Sequence, residues 1–155
     1  LIAGKPHDFG TVEEGEDYRR ALLSLVQRLG LGESVRFLGH VADPVPVYQV
    51  SDFLVLPTIT SEAFGRVLIE AMACGVPAGG ARIGGIPEVL GGEFGKFVFP
   101  PGNERALAAL LRKYTGWRSK DPGLGRRARR HVLKNFPLDR MIGEIERILS
   151  ECLCN

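Results

Sequence analysis

Short apolar runs that alternate with longer segments of helical periodicity restrict the fold of this chain more than any other feature. Five short runs are compatible with strands: Leu1–Gly4, Val35–Leu38, Phe53–Leu56, Pro77–Gly80 and Lys96–Phe99. Short apolar strands joined through helices are typical of a parallel sheet that is covered on both faces. The pattern therefore predicts an α/β fold with a doubly wound parallel sheet and extra helices at the C-terminal end.

The segments between these runs carry apolar residues at helical spacing. Helices are predicted ahead of Gly30, over Val45–Val50, over Ala63–Cys74 and as a turn near Ile86–Leu90, whereas Lys5–Gly15 is predicted to be a polar loop. The three longest apolar faces consist of Tyr18, Leu22, Leu25, Val26 and Leu29; of Leu107, Leu110, Leu111 and Tyr114; and of Leu138, Met141, Ile142, Ile145, Ile148, Leu149 and Cys152.

Length and composition exclude several classes of protein. The 155 residues are enough for one domain, and 20 basic against 18 acidic residues give a net charge of +2, so no nucleic-acid partner is expected. No apolar run approaches the ~20 residues of a membrane-spanning helix. The three cysteines are too few for a disulfide scaffold, and Cys152 and Cys154 lack the spacing of a zinc site. We expect Cys74 to be core and the compartment to be the reducing cytoplasm.

The start of the chain reads as the end of a strand and carries no methionine. We therefore expect residues 1–155 to be a single partial domain that lacks its first strand and helix.

Ligands of doubly wound sheets sit outside the carboxyl ends of the strands, which directs attention to the loops after Leu38, after Leu56 and after Gly80. The loop after Leu56 carries most of the candidate residues. A helix that starts near Ala63 or Phe64 would leave the backbone N–H groups of Ala63, Phe64, Gly65 and Arg66 free to bind an anion. We expect Gly65 to remove a side chain where a phosphate or sugar approaches the backbone.

Two carboxylates accompany this helix. Glu62 precedes it and suits vicinal sugar hydroxyls, whereas Glu70 lies among apolar neighbours and needs a partner such as a ribose diol. The helix dipole alone would also favour Glu62, and Glu70 could lie on a solvated face. Spacing by itself leaves both interpretations open.

The segment EAFGRVLIEAMACGVP, from Glu62 to Pro77, contains the Glu-x7-Glu spacing and resembles the GT-B glycosyltransferases of family four. Other elements of that family are similar in the same order along the chain: Leu1–Gly4, Val35–Gly39, Val50–Pro57, Gly84–Glu88, Gly95–Gly102 and Ala128–Phe136. The resemblance implies the Rossmann-like C-terminal, donor-binding domain of a retaining enzyme.

By this resemblance the chain helps to transfer a hexosyl group from a UDP-, GDP- or ADP-sugar to a sugar, lipid or small-molecule acceptor. Glu62 would be the catalytic residue and would contact the donor sugar, and Glu70 would bind the ribose. The backbone of Ala63, Phe64, Gly65, Arg66 and Val67 would hold sugar and phosphate, while Gly39, His40 and Val41 would border the nucleobase.

The resemblance also implies what the chain does not contain. No Asp-x-Asp motif is present, so we expect neither a metal nor another cofactor. By the resemblance we expect the family's Arg/Lys segment for the diphosphate and its N-terminal acceptor domain to be absent from this sequence, and we expect the chain alone to be inactive. Arg66 and Arg82 could partly replace those cations. Ala78–Gly80 replaces a β-branched run, which predicts a weak strand.

Three alternatives stay open. The chain could be a stand-alone nucleotide-sugar-binding module, another GT-B enzyme such as a sugar-nucleotide epimerase, or a flavodoxin-like signalling domain. The basic run Arg126–His131 could form a solvated helix face or lie at the inner face of a membrane. Trp117 is expected to pack at the end of a helix.

Overall fold

The computed structural model describes residues 1–4 and 12–153, with side chains from residue 15 onward in the second range. The predicted loop Lys5–Gly15 lies outside this description up to residue 11. The chain divides into two compact units, Leu1–Pro44 and Val45–Asn155, and each is described by itself.

The first unit is a two-stranded parallel sheet with one helix. Strand β1 (Ile2–Ala3) pairs with β2 (Phe37–Gly39), and helix α1 (Val12–Arg28) connects them. The helix therefore begins inside the segment predicted to be a loop. The predicted apolar face of α1 stays open, since Tyr18 is 64% exposed. No described side chain of this unit is buried.

The second unit contains a three-stranded parallel sheet in the order β3-β4-β5. The strands are β3 (Leu54–Leu56), β4 (Ala78–Ala81) and β5 (Val98–Phe99). The fold class is thus confirmed as α/β with parallel sheets and flanking helices. The three runs predicted for this unit become strands, each shorter than or shifted slightly from its predicted bounds.

The prediction of a weak strand at Ala78–Gly80 is wrong. Strand β4 is the central strand, and all four of its residues are buried. A Cβ on Gly79 would lie 3.0 Å from Leu110, and a Cβ on Gly80 would lie 2.7 Å from Ile86. Successive residues of a strand face opposite sides, so small residues here let both layers of helices approach the sheet.

Seven helices and one 3-10 helix, over Gly92–Phe97, belong to the described part of the second unit. The helices are α2 (Val45–Val50), α3 (Arg66–Ala73), α4 (Ile86–Val89), α5 (Glu104–Tyr114), α6 (Trp117–Lys120), α7 (Leu124–Asn135) and α8 (Leu138–Leu153). The bounds of α2 agree with the prediction, α3 begins three residues later than predicted, and α6 was not predicted.

The core of the second unit lies between the sheet and its helices. Helices α3 and α7 approach closely where Gly75, just after α3, faces Gly125. The absence of a side chain permits this approach, since a Cβ on Gly125 would collide with the Gly75 carbonyl oxygen. Trp117 is 5% exposed and its indole N–H donates to the Asp52 carbonyl oxygen at 2.6 Å, which confirms the predicted packing role. Cys74 is only half-buried, at the edge of a small cluster around Tyr48.

Helix α8 carries the predicted apolar stripe, but none of its described residues is buried. Across residues 1–4 and 12–153, no helix has both the length and the apolar character needed to cross a membrane.

Candidate functional site

The loop after β3 leads into the first turn of α3. Helix α3 begins at Arg66, and Gly65 precedes it in the left-handed region with φ 79° and ψ 46°. The Leu68 N–H donates to the Gly65 carbonyl oxygen at 2.9 Å. The N–H groups of Arg66 and Val67 open the helix, and such groups have no acceptor within the helix itself. The first turn of α3 therefore offers fewer free backbone N–H groups than a helix starting at Ala63 would, and anion binding there stays a prediction.

Gly65 has a packing role that the sequence did not predict, and the predicted approach of a phosphate or sugar to its backbone stays a prediction. A Cβ at this position would lie 3.1 Å from Leu68, 3.4 Å from Ile86 and 3.4 Å from Leu56. The missing side chain thus faces the protein interior. Its positive φ, which glycine adopts at little cost, is what turns the chain into α3.

The Glu62 carboxylate folds back onto the loop that follows it. Its Oε1 accepts hydrogen bonds from the Gly65 N–H at 2.9 Å and from the Phe64 N–H at 3.4 Å. Two of the five backbone donors predicted to hold sugar and phosphate are therefore taken by the protein's own carboxylate. A phosphate at those two groups would have to displace Glu62. Phosphate binding by the remaining donors stays a prediction.

The loop after β4 holds the Glu62 loop in place. The Gly85 N–H donates to the Glu62 carbonyl oxygen at 3.2 Å. A Cβ on Gly85 would lie 2.6 Å from the Ala63 carbonyl oxygen, and one on Gly84 would collide with that of Glu62. The resemblance matches the pair Gly84–Gly85 to a family loop, and close contact between two backbones is its physical role here.

Glu70 lies on α3 with a third of its side chain exposed. The Tyr48 hydroxyl donates to its Oε2 at 2.8 Å, and the Arg66 Nε lies 2.9 Å from its Oε1. Groups of the protein itself thus satisfy the carboxylate that was expected to need a ribose. Sequence reasoning missed Tyr48, and its only signal was a tyrosine amid the apolar residues of α2.

Burial raises the pKa of Tyr48 well above its ordinary value, and the hydrogen bond to the Glu70 carboxylate raises it further. Deprotonation would place a second negative charge beside Glu70 in a poorly hydrated position. Tyr48 therefore stays a hydrogen-bond donor throughout the physiological range.

The residues expected to border the nucleobase belong to the first unit. Gly39 ends β2 with φ 66°, His40 is exposed and Val41 is half-buried. Gly39 lines a cavity of about 200 Å³ together with Ile2–Gly4, Phe37 and residues of α1. That these residues share one crevice with Glu62 and Glu70 stays a prediction.

The basic run on α7 has two parts with different surroundings. Arg127 pairs with Asp121 at 2.6 Å and with Glu93 at 3.0 Å. Arg126, Arg129, Arg130 and Lys134, with Leu133, line an open depression of about 450 Å³. Arg129 donates to the Ala73 carbonyl oxygen.

The described residues contain no group of three or more His, Cys, Asp or Glu side chains that could hold a metal ion. Independence from a metal nevertheless stays a prediction. Arg66 is 84% exposed as a side chain, and Arg82 is also exposed, so both guanidinium groups are accessible to an anion.

Known proteins resemble this chain in sequence and in fold. A family model described as "Glycosyl transferases group 1" matches residues 1–131. The N-acetyl-alpha-D-glucosaminyl L-malate synthase of Bacillus anthracis is 33% identical over 132 residues, which cover 85% of this chain and 34% of that protein.

Solved structures agree. Anabaena HepE in complex with UDP superposes with a TM-score of 0.83 at 30% identity, over 96% of this chain and 40% of that one. A glycosyltransferase from Rickettsia africae gives a TM-score of 0.84 at 27% identity, over 94% and 39% of the two chains. This chain spans between a third and two fifths of the length of these relatives. The match over most of its length shows that the chain belongs to the group 1 glycosyl transferases.

Proposed function

We propose that this chain is the donor-binding half of a hexosyltransferase. The donor is a nucleoside diphosphate sugar, and the sugar passes to an acceptor with retention at the anomeric carbon. The observation that carries the proposal is the pair Glu62 and Glu70, which flank the opening turn of α3 within a chain of the group 1 family. That HepE has been solved with UDP and with UDP-glucose makes UDP the first nucleotide to test.

The roles follow from the geometry of the loop. Backbone amides hold Oε1 of Glu62, and across residues 1–4 and 12–153 its Oε2 has no hydrogen-bond partner. Oε2 is therefore the atom we assign to the hydroxyls of the donor sugar. The Arg66 and Val67 N–H groups and the Arg66 guanidinium would stabilise the departing diphosphate, which is an electrostatic task. On this proposal neither a metal nor another cofactor takes part.

We propose that the acceptor, a sugar, lipid or small molecule, is bound by an N-terminal domain of the same protein. Gly39, His40 and Val41 would border the base. We also propose a cytoplasmic enzyme that associates peripherally with the inner face of the membrane. The exposed cations Arg126, Arg130 and Lys134, which have no acidic partner within the described ranges, support this association.

Calorimetry and thermal-shift measurements on the full-length protein test the donor site. UDP, GDP, ADP and their sugar conjugates are titrated without divalent metal. We expect saturable binding of one nucleotide, and a higher melting temperature because a ligand of the folded state stabilises it. Glu70→Ala should abolish this binding. Glu104→Ala, which removes an exposed carboxylate from the first turn of α5, is the matched control and should preserve it.

These titrations, together with an assay of sugar transfer and of sugar release, separate the alternatives. Binding to none of the nucleotides would overturn the proposal. Binding without any sugar transfer to a panel of acceptors would instead identify a stand-alone binding module. Release of an epimerised sugar without an acceptor would identify an epimerase.

A further inference from the structure

We propose that Tyr48 is a positioning residue whose hydroxyl orients the Glu70 carboxylate toward a ribose diol. The inference rests on the proposed function and names how its nucleotide site recognises ribose. Tyr48 itself would not touch the donor.

The contact joins two elements that are distant in sequence. Tyr48 belongs to α2 and Glu70 to α3, and the hydroxyl lies 2.8 Å from Oε2. Tyr48 is 6% exposed and packs with Ala71 and Val76. Because the ring is fixed by this packing, its hydroxyl presents a donor at a constant place. An ionised carboxylate can only accept, so the direction of the hydrogen bond is defined.

The second partner of Glu70 cannot provide the same restraint. Arg66 contacts Oε1 at 2.9 Å, but its side chain is 84% exposed. Ion pairs at such exposed positions are screened by solvent and cost side-chain entropy to hold, and they stabilise little. Arg66 can turn toward a phosphate without a large penalty. Tyr48 then remains as the group that holds the carboxylate.

The arrangement leaves acceptor capacity for a ligand. Each carboxylate oxygen has two lone-pair sites, and each oxygen of Glu70 is engaged by one protein group. One site on each oxygen is therefore open, which matches the two donors of a vicinal diol. A carboxylate free to rotate would lose this match and would tolerate a ligand that lacks one hydroxyl.

A purely structural role for Tyr48 makes a different prediction. In that case the hydroxyl only secures α2 on α3. Its removal would lower the melting temperature and would leave the preference for ribose unchanged. Discrimination between ribose and deoxyribose ligands is therefore the readout that separates the two roles.

The experiment compares wild type and Tyr48→Phe in the full-length protein. Dissociation constants are measured by calorimetry for UDP, 2′-deoxy-UDP and 3′-deoxy-UDP. A site built for a hydroxyl rejects the analogue that lacks it, so wild type should bind UDP at least about tenfold more tightly than the poorer deoxy analogue. In Tyr48→Phe this ratio should fall by about three- to tenfold, mainly through weaker binding of UDP. Tyr114→Phe removes the hydroxyl of a half-buried tyrosine elsewhere in the second unit and should keep the wild-type ratio.

Further variants make the outcomes decisive. The effects of Tyr48→Phe and Glu70→Gln on the dissociation constant for UDP should be non-additive. Groups that act through one contact couple in a double-mutant cycle. An unchanged ribose preference in a folded Tyr48→Phe protein would overturn this inference and leave the proposed function standing. If the wild-type protein binds none of UDP, GDP and ADP, the proposed function and this inference are overturned together.

Discussion

The backbone N–H of Gly85 donates to the carbonyl oxygen of Glu62 at 3.2 Å, so the loop after β4 sets the position of the loop after β3. The carboxylate proposed to act in catalysis is therefore placed by a residue more than twenty positions further along the chain. Its own neighbours Phe64 and Gly65 then orient the side chain.

Gly85→Ala tests this backbone support. Gly85 has a φ of −76°, which alanine adopts without strain, so the variant isolates the contact of the new Cβ with the Ala63 carbonyl oxygen at 2.6 Å. We expect a loss of about 1–3 kcal/mol in the free energy of unfolding, as for other overpacked sites. Donor affinity should fall as well, because the Glu62 loop must move.

Denaturant unfolding and nucleotide titration measure both effects. Gly143→Ala is the matched control, since its Cβ meets nothing within 4 Å in helix α8. That variant should be stabilised by up to about 1 kcal/mol because alanine favours a helix. Equal stability of the two variants would contradict the role assigned to Gly85.

Glu62→Ala should separate donor binding from turnover. The substitution removes a negative charge from beside the proposed diphosphate site and frees the Phe64 and Gly65 N–H groups. UDP should bind as tightly as to wild type or more tightly, whereas sugar transfer should fall by about 10²-fold or more, in the range seen when one preorganised group is lost.

Calorimetry on the full-length protein measures the affinity for UDP, and a transfer assay measures the rate of sugar transfer. Loss of UDP binding in a folded Glu62→Ala protein would show that the carboxylate organises the loop and does not compete with the anion. Glu104→Ala serves again as the control and should change neither quantity.

The ion pair of Asp121 with Arg127 should contribute to stability in a pH-dependent manner. The hydrogen bond from Arg127 lowers the pKa of Asp121 below its ordinary value of 3.8. Since the unfolded state takes up the proton first, this contribution is fully present above about pH 3.8 and is lost as the pH falls through the lower folded pKa.

Melting temperatures of wild type and Asp121→Asn should therefore differ at pH 6 and converge as the pH falls below 3.8. In an Arg127→Gln background the same comparison should show no such convergence. If the difference in melting temperature persists unchanged below pH 3.8, the ion pair with Arg127 does not stabilise the fold through Asp121.

Much of the fold could be predicted because apolar periodicity reports burial directly. The bounds of α2 and the existence of the three strands of the second unit could be predicted from short apolar runs. Strand β4 was misjudged because propensity describes a residue in isolation, whereas the helices packed on Gly79 and Gly80 decide what fits there. The start of α3 was misplaced for a similar reason. The left-handed turn at Gly65 depends on tertiary packing against Leu56 and Ile86.

In the candidate site, too, local sequence predicts some residues, whereas tertiary contacts determine the others. Glu62 and Glu70 could be selected from their spacing and from the resemblance to a known family. Their partners could not, since Tyr48 and Gly85 reach them from other elements. Local sequence also pointed to Phe64 and Gly65 as phosphate donors without revealing that Glu62 already occupies them.

The glycines of β4 have a consequence for engineering this domain. Replacement of poor strand formers by valine or isoleucine is a usual route to a more stable sheet. Here the same replacement would force apart the layers that carry Ile86 on one side and Leu110 on the other. Ile86 also lies against Gly65, which precedes α3. A change in the distance between these layers would therefore also change the turn that leads into α3. Stabilisation of this sheet must therefore begin in the helices and leave its central strand as it is.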